Sequence, residues 1–141
     1  MRELACRLRA NQLFYHSAHN LTDGASFFGD HQFFEKAYKA HEEAYDGVVE
    51  RMIANGKSME LEVAELHHEV ATKLEGAPSI YAISPEEFFQ YALKLELGTI
   101  QMITAKINSE EITIGEDNML AGLADEAEKR IYKIQARLQS H

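Results

Sequence analysis

The chain has one cysteine, no tryptophan and two prolines in 141 residues. Cys6 alone can close no intrachain disulfide and supplies no cysteine-based zinc or iron–sulfur cluster, so it reads as a small helix residue. Two prolines and eight glycines, with no low-complexity tract and no repeat at a solenoid period, exclude disordered and repeat architectures. Long apolar runs are missing as well. No segment approaches the roughly 20 consecutive apolar residues of a membrane span, and Arg2, Arg7 and Arg9 interrupt the start where a signal peptide would carry its apolar core. A soluble, cytoplasmic protein with no membrane partner is expected. Basic side chains are few: 14 Lys and Arg against 23 Asp and Glu leave a formal charge of −9. That sign is wrong for wrapping phosphate backbones, and no basic arm offsets it.

What is present is helical periodicity. The 45% hydrophobic content and the length suit a single domain over 1–141. From Glu3 to about Thr22, Leu4, Leu8, Leu13, Phe14, Ala18 and Leu21 form an amphipathic stripe. Turn chemistry at 22–26 leads into a second helix from Phe27 to Ala54, which Asn55-Gly56 ends. Its stripe holds Phe27, Phe34, Ala37, Tyr38, Tyr45, Val48, Val49 and Ile53. Residues 58–75 predict a short crossover helix. Ser84-Pro85-Glu86-Glu87 is a helix start with a capping box, opening a third helix to about Asn108. A fourth begins at the acidic pair Glu116 and Asp117 and continues to the chain end. No segment alternates with period two. Two helices, a crossover bearing a short helix, and two more helices give the expected fold class: all-α, a ferritin-like four-helix bundle with one extra short helix.

His19, His31, Glu35, Asp46 and Glu50 are the side chains whose spacing carries chemistry. His31 and Glu35 are four apart and share a helix face, as do Asp46 and Glu50. At 100° per residue, Glu35 and Asp46 differ by roughly 20° around the axis, yet residues 31 and 46 are about 22 Å apart along it. One ion cannot touch both ends. Two such helices packed antiparallel about a two-fold axis near residues 40 and 41 bring the His31 and Glu35 end of one chain opposite Asp46 and Glu50 of the other, making two equivalent sites per dimer. His19 reaches the same place if the turn folds the first helix back. Imidazoles mixed with carboxylates suit iron, manganese or zinc over calcium or magnesium. With iron, open positions admit peroxide or oxygen.

The stretch His19-Asn-Leu-Thr-Asp-Gly-Ala-Ser-Phe-Phe-Gly-Asp-His31-Gln-Phe-Phe-Glu35, continuing to Tyr45-Asp46-Gly-Val-Val-Glu50-Arg51-Met, resembles the ferroxidase segment of the Dps family of mini-ferritins. That family's pattern is His, eleven residues, His, three, an acid, ten, Asp, three, Glu-Arg, and each spacing is met. Glu128-Lys-Arg-Ile-Tyr132 also resembles its last helix. The resemblance implies a hollow dodecamer of two-fold dimers that oxidises ferrous iron with hydrogen peroxide or oxygen and stores ferric oxide inside. It implies His19 and His31 as ligands from one chain and Asp46 and Glu50 from the other, with Glu35 at a position usually Asp. Two features depart from the pattern. Asn20 stands where Trp is common, so an aromatic electron relay would need Tyr15 or Tyr45. The lysine-rich tails that bind DNA in many members have no counterpart, and DNA binding is not expected.

Other signals have simpler readings. Glu65 with His67 and His68 reads as a solvated face, His16 as an ordinary helix position or a support for His19, and His41 as packing. Phe27-Phe28, Phe33-Phe34 and Phe88-Phe89 read as packing. Glu116 and Asp117 suit either a helix dipole or a pore ring. The competing function is a helical assembly protein holding a structural, zinc-like metal without redox turnover.

Overall fold

The computed structural model describes residues 1–79, 84–109 and 111–139. The helices are α1 (Arg2–Leu21), α2 (Phe27–Ala54), α3 (Val63–Lys73), α4 (Pro85–Asn108) and α5 (Ile114–Gln139), with a 3-10 turn at Ser58–Leu61. Among the described residues there is no strand, and no helix is long and apolar enough to cross a membrane. Four long helices with a short one after the second is the expected order. Two boundaries differ from expectation. The 58–75 segment breaks at Glu62 into the 3-10 turn and α3. The last helix starts at Ile114 rather than Glu116, because the Thr113 hydroxyl accepts from the Glu116 N–H at 3.1 Å and acts as the cap. Ser140 and His141, part of the expected helix end, lie outside the described residues.

The chain divides into two compact units, Met1–Phe88 and Phe89–His141. In the first, α1 lies along α2 and α3 packs on α1. Leu4, Leu8, Phe14, Tyr15 and Ala18 of α1 are buried, as are Phe34, Ala37, Tyr45, Val48 and Met52 of α2 and Leu66 and Val70 of α3. Leu13, Leu21 and Ile53 are exposed instead. Leu13 and Ile53 sit one residue from Phe14 and Met52, about 100° off the buried line, so the expected stripes were too wide. Phe28, expected in core or interface packing, is exposed within the single chain. His41 is buried, donates Nδ1–H to the Ala37 carbonyl at 2.8 Å, and lies 5.1 Å from the Tyr15 ring. Packing within the chain is its role.

The crossover is tied to α1 by polar contacts. Arg2 donates to the Glu60 carbonyl at 2.9 Å and pairs with Glu69 at 3.4 Å, while Cys6 Sγ donates to Glu69 Oε2 at 2.7 Å. Before α4, the capping box forms as expected: the Glu87 N–H donates to Ser84 Oγ at 3.3 Å and the Ser84 N–H to Glu87 Oε2 at 3.0 Å. In the second unit, Phe89, Ala92, Leu95 and Ile103 of α4 and Leu120, Ala127 and Ile134 of α5 are buried. Glu96 is 0% exposed there. Arg130 answers it from α5, with Nε to Oε1 at 2.7 Å and a second guanidinium nitrogen to Oε2 at 3.2 Å. A buried carboxylate is tolerated only when its charge and both oxygens are satisfied, and this fork does so.

Candidate metal centre

The site begins at the turn between α1 and α2. Gly24 has φ +88°, which an L side chain rarely adopts, and it lets residues 22–26 reverse the chain. The reversal sets the last turn of α1 against the first turns of α2. There the two histidines hold each other. His19 Nδ1–H donates to the His31 carbonyl at 3.1 Å, and His31 Nδ1–H donates to the His19 carbonyl at 2.8 Å. The His19 carbonyl belongs to the final turn of α1, whose carbonyls lack partners within the helix, so His31 doubles as a helix cap. Because a carbonyl can only accept, each Nδ1 must carry the proton. A neutral ring then presents an unprotonated Nε2, the form a metal binds. The rings are stacked with centroids 3.8 Å apart, and both residues are half-buried.

Glu35 stands one turn beyond His31. Lys39 donates to its Oε1 at 2.7 Å, and that contact, more than any other, holds its carboxyl below the usual range, with the nearby His19 and His31 adding to the effect. Asp46 and Glu50 are exposed on the same helix. Their face is about a third of a turn round from the line of Phe34, His41 and Met52 that packs inward. The single chain thus gathers His19, His31 and Glu35 at one end of α2 and leaves Asp46 and Glu50 some 22 Å along it. Among the described residues, no three His, Cys, Asp or Glu side chains converge closely enough to hold an ion. The donor chemistry nevertheless fits a borderline divalent ion: two oriented imidazoles with a carboxylate beside them.

Aromatic rings support the pair. Phe27 stacks on His31 at 4.8 Å. Tyr38 meets His19 edge-on at 5.4 Å and stacks on His16 at 4.3 Å. The two tyrosines singled out from the sequence have other neighbours as well. Tyr15 packs among Phe14, Phe33, Phe34 and His41, and Tyr45 lies under the Arg9 guanidinium at 3.8 Å. Tyr38 is three residues past Glu35 on the ligand side of α2, and that spacing was the signal that could have found it. His16 therefore braces Tyr38 as well as following the helix. His67 donates to the Val63 carbonyl at 2.8 Å on an exposed turn, and Glu65 and His68 are exposed. Glu116 is buried rather than open.

Comparison with protein families matches residues 3–140 to the ferritin-like domain. Comparisons with curated proteins and with solved structures returned no match.

Proposed function

The chain belongs to the ferritin-like domain family, and from that premise we propose that it oxidises ferrous iron at a site completed by a second copy and stores the ferric product. Iron storage and ferroxidase chemistry are the general business of this family. The helix order, with a short helix in the crossover, is that of a ferritin-like four-helix bundle. The observation supporting the finer reading is the reciprocal His19–His31 hydrogen bonding, which makes Nδ1 the donor in both rings and leaves Nε2 as the nitrogen for an ion, with Glu35 one turn along α2.

Iron is the substrate. Each ferrous ion yields one electron, and two of them with two protons reduce one hydrogen peroxide to two waters. Oxidation adds a positive charge, so carboxylates at the site stabilise the product state more than the reactant state. Glu35 of one copy and Asp46 and Glu50 of the other supply that charge, while the imidazoles hold the ion in place. The assembly in this reading is a hollow dodecamer of antiparallel two-fold dimers, similar to the Dps family. Tyr38, in contact with His19, is the side chain placed to pass an electron where a tryptophan is absent.

Mixing the metal-free protein with ferrous iron and peroxide and following ferric absorbance tests this. The wild-type chain should outpace buffer, and His31→Ala or Asp46→Ala should each slow the reaction by on the order of 10–100-fold. Oxidation no faster than buffer would remove the enzymatic reading. Loss of assembly on zinc removal, with no oxidation, would mark a structural metal site instead.

A further inference from the structure

Glu35 faces two competing cationic positions. His31 lies one turn toward the N-terminus of α2, where an ion on the imidazole pair would sit, and Lys39 lies one turn toward the C-terminus. The carboxylate feels both imidazoles, but its hydrogen bond goes to the ammonium, at 2.7 Å. A Glu preceding Lys by four residues is the favourable order for such a pair. Among the described residues no three-donor cluster forms, and Glu35 is turned to Lys39.

We propose that Lys39 is a competing cation built into the site, holding Glu35 toward the C-terminal turn until a divalent ion displaces the ammonium. The inference rests on the reading of His19, His31 and Glu35 as ligands. An ion bound by the imidazoles and Glu35 would stand close enough to Lys39 for like charges to repel, so the two cannot share the carboxylate without cost. Release is easy. The Lys39 side chain is 61% exposed and that of Glu35 40%, so the freed ammonium moves into water and leaves no buried charge. Such a competitor lowers affinity without removing any ligand. That suits an ion that enters as substrate and moves on as product, because a permanently filled site cannot turn over.

The test uses cobalt(II), which binds without being oxidised in the absence of peroxide and oxygen, titrated by calorimetry into the full-length protein. Lys39→Met keeps the length of the stem and removes the charge. It should tighten cobalt binding by about three- to fivefold at low ionic strength, the range surface ion pairs reach. The gain should shrink at about 0.5 M salt, where screening acts over only a few ångströms. In a Glu35→Ala background, Lys39→Met should change affinity by less than about twofold, because the competition has no carboxylate to act on. Unchanged or weaker binding in Lys39→Met, with binding still sensitive to His31→Ala, would overturn the role of Lys39 and leave the site standing. Cobalt binding indifferent to His31→Ala would overturn both.

Discussion

Cys6 and Glu69 show how burial sets the chemistry of a single side chain. The thiol is fully buried and donates to the Glu69 carboxylate at 2.7 Å. Burial first, and then the hydrogen bond and negative charge of Glu69, push its pKa from an ordinary 9.0 to about 12. The folded chain therefore keeps a proton that the unfolded chain has lost between those values. The stability gained from the protonated thiol is whole below pH 9.0 and drains away as pH rises toward about 12. Urea midpoints measured across that interval should fall more steeply for the wild type than for Cys6→Ala; parallel slopes would contradict the assignment. The residues of the proposed centre could be named at this scale because candidate ligands of this kind are His, Glu or Asp at a helical step. Tyr38 was not singled out, because its place on the amphipathic stripe pointed to packing and outweighed the one mark it carried, its three-residue step from Glu35. Lys39 escaped notice for a similar reason: at the surface it reads as solvation.

Helices α1 and α2 could be read in advance from stripe and turn, and α4 from stripe and cap. Ser84, Pro85 and Glu87 announced the start of α4, and the hydrogen bonds of the box are in place. The break at Glu62 was hidden, since the apolar period of 58–75 runs on through it. The ion pair of Glu96 and Arg130 was hidden too, being 34 residues apart with no local pattern. Their energetic ranks differ sharply. Ser84→Ala loses one cap bond and should cost about 1 kcal/mol. Arg130→Met removes the guanidinium that engages both oxygens of the buried Glu96 carboxylate and should cost on the order of 3–5 kcal/mol. Urea denaturation of the two variants checks the order. A Ser84→Ala cost equal to or larger than that of Arg130→Met would mean that Glu96 is not held by its charge partner.

For the whole molecule, the proposed centre needs a geometry that lies outside any one chain. His31 and Asp46 sit on one straight helix some 22 Å apart, so no folding of the chain on itself brings them together. The sequence could suggest the remedy, a symmetry mate running the other way, because both pairs fall near one face of α2. It could not show how the mate is held, since exposed side chains such as Leu21, Phe28 and Ile53 carry no record of what covers them. The central claim is that each centre joins the histidine end of one chain to the acidic end of another. Co-refolding a His19→Ala, His31→Ala chain with an Asp46→Ala, Glu50→Ala chain tests it directly. Each parent should be inactive alone, whereas random pairing gives half mixed dimers with one intact centre of two, or about a quarter of wild-type ferroxidase activity. Mixed assemblies verified by differently tagged chains, yet no more active than either parent, would contradict it.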